Sequence, residues 1–211
     1  MNLIIKLFVQ YPILLFAITV HEYAHGKTAD YFGDDTARLM GRLTLNPLAH
    51  IDILGTVILP LLAMLSGVPL FGWAKPVPVN IYRMSKKQIM LVGLSGPIAN
   101  FFTAGIFATI YYFLNKFSVD LYSADILFIY GVVINIVLAV FNLIPIPPLD
   151  GSKVLEGLLP YNIIREYEIF FSRYGFFILI FLLYSGILWT ILSPIVNFLV
   201  GLFLPQMPKF I

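Results

Sequence analysis

The sequence predicts an all-α polytopic membrane protein of about five to six transmembrane helices, with a re-entrant segment and a short edge strand. Two observations carry this. Of 211 residues, 60% are hydrophobic and 11% charged, whereas soluble domains carry about 25% charged residues. Uncharged stretches cover 53–74, 88–115, 126–149 and 174–208, and a spanning helix needs about 20 apolar residues. The longest loops are too short to be domains, so residues 1–211 read as a single membrane-embedded domain.

The first apolar run continues from Leu3 through His21-Glu22-Tyr23-Ala24-His25 to Phe32, with Gly33 as a stop signal. Lys6 is its only early basic residue and no small-residue cleavage motif follows, so the run is expected to be retained. If hydrocarbon begins near Leu7, His21 lies about 21 Å along the axis, inside a core roughly 30 Å thick. Residues 34–51 mix Arg38, Arg42, Asn46, Pro47 and His50 and read as an interfacial loop.

Residues 53–70 are apolar but interrupted by Gly55 and Pro60. Run 72–80 alternates proline and valine, which excludes helix and suits an edge strand or a stiff proline-rich connector. In a strand, Pro76 and Pro78 would silence one edge while Val77 and Val79 keep donors on the other, free to pair with an extended peptide.

Residues 88–115 form a long apolar helix containing Gly96-Pro97, and 126–144 form another that ends at a proline-rich turn before Asp150-Gly151. The last run would cover about 52 Å as one helix, so it tilts, breaks near Ser185-Gly186 or Pro194, or divides in two.

Net charge is +2 without a basic stripe, so no nucleic-acid partner is expected. No cysteine is present, which leaves His, Asp and Glu to bind any metal. His21 and His25, four apart, share a helical face and can grip one metal, with Glu22 beside them. In such HExxH motifs the histidines are ligands and the glutamate is the general base. The alternative is a set of interfacial polar residues, but ionisable groups at the end of an apolar helix are costly and usually functional.

Asp150 is the strongest candidate third ligand, because it follows an unwound helix end and precedes Gly151, which permits close backbone approach. An isolated Asp-Gly also suits a turn or a helix N-cap. His50 and Asp52 form a weaker ligand alternative, or brace a ligand from behind. Asn142 joins them as a bracing candidate.

Three separated motifs, His21-Glu22-Tyr23-Ala24-His25, Gly96-Pro97-Ile98-Ala99-Asn100 and the stretch from Asn142 to Gly151, resemble those of the site-2 protease family of intramembrane metalloproteases. Segments 33–38, 45–52 and 72–80 resemble its compact prokaryotic branch, which lacks PDZ and nucleotide-sensing domains. The likeness covers roughly residues 15 to 155 and implies a site-2 protease core. It further implies one Zn²⁺ per chain on His21, His25 and Asp150, with Glu22 as general base. Asn100, Val77 and Val79 would hold an extended substrate.

The expected function is hydrolysis of peptide bonds in or near transmembrane segments of membrane-protein substrates. The alternative is a non-proteolytic membrane protein, such as a metal transporter or a silent protease-like scaffold. The bilayer and a membrane protein or peptide are the expected partners, and the sequence leaves the oligomeric state open.

A multi-pass protein of a prokaryotic plasma membrane follows. The ends of two helices must share one face for Asp150 to reach the histidines, so 53–70 is expected to be re-entrant or shallow, turning near Pro60. Arg38, Arg42, Lys75, Arg83, Lys86 and Lys87 then share the face of the metal, which the positive-inside tendency makes cytoplasmic.

Overall fold

The computed structural model describes residues 6–59, 61–62, 74–117 and 125–205. Six principal helices follow in order: α1 (Tyr11–Tyr31), α2 (Lys86–Lys116), α3 (Asp125–Asn142), α4 (Asp150–Leu158), α5 (Tyr161–Tyr184) and α6 (Ile187–Phe203). Among the described residues, α2, α3 and α5 are long and apolar enough to cross a membrane, and α6 is a shorter apolar helix. The 21-residue α1 also has the length to cross, at about 1.5 Å per residue, but carries the ionisable cluster.

Local chemistry sets the helix limits. Pro12 lies in the first turn of α1, where a missing N–H is harmless, and Gly33 reverses the chain at φ 94°. Ser85 and Gln88 form a reciprocal capping box at the start of α2. The final apolar run breaks at Gly186, whose φ of 76° suits a residue without Cβ, while α6 continues through Pro194.

The core lies between α2, α3 and α6. Leu188, Leu192, Val196 and Val200 recur every four residues along α6 and pack on Ile129, Val132, Ile136 and Val140 of α3. Small residues let the other helices approach closely, as at Gly131, which receives the Phe107 ring. Phe176, Phe177 and Phe181 of α5 point outward, as an apolar solvent permits.

Two expectations need correction or restriction. The described residues contain no strand, and residues 74–80 have no regular secondary structure. Pro76 and Pro78 lack donors, and the amides that bond do so to fixed groups of the protein: Lys75 N–H to the His50 carbonyl (3.0 Å), Val77 N–H to Glu22 (2.7 Å) and Asn80 N–H to Asp34 (2.6 Å). Residues 53–58 are helical, but the expected turn at Pro60, positions 63–73 with Gly72 and Trp73, and the loop 118–124 lie outside the described residues.

Candidate metal centre

The helical spacing of four places His21 and His25 on the face of α1 that meets α2 and the start of α4. Their Nε2 atoms are 3.0 Å apart, and Asp150 Oδ2 stands 2.9 Å from the first and 3.0 Å from the second. All three residues are buried. Among the described residues they are the group of metal-ligating side chains whose donor atoms converge.

Hydrogen bonds behind the rings define what the convergent atoms present. His21 Nδ1 lies 2.6 Å from Asn100 Oδ1, and His25 Nδ1 lies 2.7 Å from the Val92 carbonyl. Both neighbours accept, so each Nδ1 carries a proton, which leaves Nε2 as the nitrogen available to bind a metal. Two imidazole nitrogens and a carboxylate oxygen converge on one buried point, an arrangement that a bound cation would satisfy. Two nitrogens and one carboxylate also form a donor set found in hydrolytic zinc sites.

Glycines keep that point accessible. A Cβ on Gly96 would lie 2.5 Å from His25 Nε2 and 2.7 Å from His21 Nε2, so the bare face of α2 is required in front of the two histidines. One turn earlier, a Cβ on Gly93 would meet Lys153 Cβ at 2.9 Å and the Asp150 carbonyl at 3.1 Å. Gly151 has the Leu143 and Ile144 carbonyls against the place of its missing side chain. These absences let α4 press its first residue toward the histidines.

Glu22 is half-buried beside the cluster, and its Oε2 accepts from the Val77 amide. Val77 is buried, its side chain against Gly26, where a Cβ would come within 2.9 Å. The Val77 donor that the sequence suggested for a substrate is therefore engaged by Glu22. Val79 is half-buried.

The loop is pinned further by Arg42 Nη2, which donates to the Lys75 and Pro76 carbonyls at 2.8 and 3.3 Å. Asp34 accepts from Asn80 and from both the amide and the hydroxyl of Thr36. Burial pushes the Asp34 carboxyl upward. The hydrogen bonds from Thr36 and Asn80, with the charge of Arg83, outweigh it and hold the group below its ordinary value.

Asn100, a substrate contact by the resemblance, is engaged within the protein. It is fully buried, and its amide serves His21, the Ala17 carbonyl and Asn135 inside the protein. The bracing candidates bond elsewhere: His50 Nε2 to the Thr44 carbonyl, Asp52 Oδ1 to the Gly55 amide, and Asn142 Nδ2 to the Leu138 carbonyl. Sequence reading missed Lys153, whose Nζ lies 3.4 Å from Asp150 Oδ1. Its i+3 spacing from Asp150 was the available signal.

The profile of peptidase family M50 matches residues 116–182. YwhC of Bacillus subtilis, named as a candidate zinc metalloprotease, is 35% identical over 191 residues, which cover 87% of this chain and 84% of its own length. The chain belongs to peptidase family M50. This M50 peptidase is also similar to Rip2 of Mycolicibacterium smegmatis, likewise named a candidate zinc metalloprotease, at 33% identity over 147 residues. Rip2 of Mycobacterium tuberculosis is 32% identical over 143 residues. Each alignment covers 67% of this chain, which spans about half of either Rip2, 54% of its length. No solved structure matches the M50 peptidase. Its family, the site-2 proteases, accords with the multi-pass helical architecture.

Proposed function

We propose that this M50 peptidase is an intramembrane zinc metalloprotease whose metal is held by His21, His25 and Asp150, with Glu22 as general base. The observation that carries the reading is the convergence of two imidazole nitrogens and a carboxylate oxygen at a buried point next to that glutamate. Bound there, zinc supplies Lewis acidity toward water and toward a peptide carbonyl.

The protein's own part is proton handling and positioning. Glu22 follows a ligand directly in sequence and is oriented by the Val77 amide, which places its carboxylate to accept a proton from the attacking water and deliver it to the departing amine. Lys153 beside Asp150 Oδ1 and the Val92 carbonyl behind His25 restrain the ligands.

The substrates of this reading are membrane proteins. A helical substrate hides its carbonyls in its own hydrogen bonds and must unwind near the site, at several kcal/mol for each unsatisfied group in lipid. The run 74–80 beside Glu22, including the backbone of Val79, is the surface along which an unwound segment would lie.

We place the centre toward the cytoplasmic face of a prokaryotic plasma membrane. Arg38, Arg42, Lys75, Arg83, Lys86 and Lys87 lie on the loops around it. The Lys75 bond to His50 supports a re-entrant path for 53–70, since it holds the two ends of the intervening segment together.

The test is cleavage of a transmembrane substrate by purified protein, with and without a chelator, beside a zinc assay. Glu22→Gln should retain zinc and lose cleavage, whereas His21→Ala, His25→Ala and Asp150→Ala should each lower bound zinc. Turnover by Glu22→Gln above about a few per cent of the parent would remove Glu22 from the general-base role.

A further inference from the structure

Asn135 is the sole amide side chain between the two ends of α3, and it is fully buried in the middle of an apolar helix. A polar group at such a place is costly unless it is bonded, and its presence calls for a purpose. Its Nδ2 donates to the Gly131 carbonyl at 2.8 Å, one turn back, which fixes which end of the amide is oxygen. That oxygen accepts from Asn100 Nδ2 at 2.9 Å. The same Nδ2 donates to the Ala17 carbonyl at 3.0 Å, and Asn100 Oδ1 is left facing His21 Nδ1 at 2.6 Å.

Each link has one permitted direction. Carbonyls only accept, so Gly131 orients Asn135, and Asn135 together with Ala17 orients Asn100. If Asn100 turned over, its oxygen would oppose two other oxygens and its NH₂ group would face His21 Nδ1. The neutral ring would then carry its proton on Nε2, where the convergent lone pair is needed. We propose that Asn135, which does not touch the metal centre, is a positioning residue that acts through Asn100 to hold His21 in the tautomer with Nε2 free to bind a metal. This rests on the zinc reading for its purpose, but the contact between His21 Nδ1 and Asn100 Oδ1 stands without the metal.

With three histidines in the chain, ¹⁵N-histidine NMR of the metal-free protein in detergent can resolve each ring. The parent should show His21 protonated at Nδ1. Asn135→Leu should move His21 toward the Nε2 proton, leave His25 unchanged on its Val92 carbonyl, and weaken zinc about 10-fold in competition with a chelator. Asn135→Asp keeps an acceptor for Asn100 and should restore the parent tautomer.

Because Asn135 works only through Asn100, Asn100→Leu and the double variant Asn100→Leu/Asn135→Leu should bind zinc equally. Asn135→Ala, which adds no bulk, takes the place of leucine if Asn135→Leu does not fold. A parent His21 with no proton on Nδ1 would overturn the proposal. So would a variant with lowered melting temperature but unchanged tautomer and zinc affinity, or additive losses in the double variant. Failure of the zinc reading has a different signature: His21→Ala would bind zinc as the parent does while the tautomer results stood.

Discussion

The backbone amide of Val77 donates a 2.7 Å hydrogen bond to Oε2 of Glu22, across 55 residues of sequence. A loop is thus fastened directly to the carboxylate that adjoins His21 in sequence. A charge-assisted hydrogen bond of this kind is worth about 1.5–3 kcal/mol, enough to hold the carboxylate in one orientation.

If that bond aims the general base, deleting the donor should act on kcat. Val77→Pro should lower kcat about 10- to 100-fold, the kinetic equivalent of that energy, with zinc content unchanged. Val77→Ala keeps the N–H and should stay within about threefold of the parent. A higher kcat in Val77→Pro would mark the contact as a brake on the enzyme instead.

Gly96 offers a steric test of the metal position. Its Cβ would enter the space between the two Nε2 atoms, so Gly96→Ala should weaken zinc by more than about 100-fold, beyond the range usual for residues behind the ligands. Gly201→Ala, where a Cβ meets nothing within 4 Å, is the matched control. Parent-like chelator competition by Gly96→Ala would place the metal elsewhere.

Asp34 predicts an acid-sensitive loop. Its folded carboxyl sits below the ordinary value of 3.8, so the native state binds the proton less readily than the unfolded chain. Its stabilisation is present above about pH 4 and is lost as pH falls through the folded value. Hydrogen exchange at the Asn80 amide, corrected for intrinsic pH dependence, should accelerate in that window. Asp34→Asn should remove the acid step, and an unchanged step would assign it to another group.

Topology is accessible because the chain has no native cysteine. Ala49→Cys and Ser85→Cys flank the His50–Lys75 backbone bond and should both be labelled by a membrane-impermeant thiol reagent only from the cytoplasmic side. Labelling from opposite sides would show that 53–70 spans the bilayer and would remove the re-entrant path.

The sequence by itself determined the apolar helical architecture, the HExxH face and Asp150 as candidate third ligand, because each is written in local spacing. A period near 3.6 residues brings His21 and His25 together wherever the helix lies, and the proline-rich turn before Asp150 ends a helix irrespective of its neighbours. For the last run the spacing leaves open a tilt, a break near Ser185-Gly186 or Pro194, or two shorter helices, and the φ of 76° at Gly186 decides for the break there. Tertiary structure alone decided the partners of the polar side chains. Asn100 meets His21 across 79 residues and Asn135 across 35, and Val77 meets Glu22 across 55. A buried amide or carboxylate must find a partner, but sequence says only that one is required. Which groups meet is fixed by how closely glycine-bearing helices pack, and that packing brings Asn100 to His21 and Val77 to Glu22.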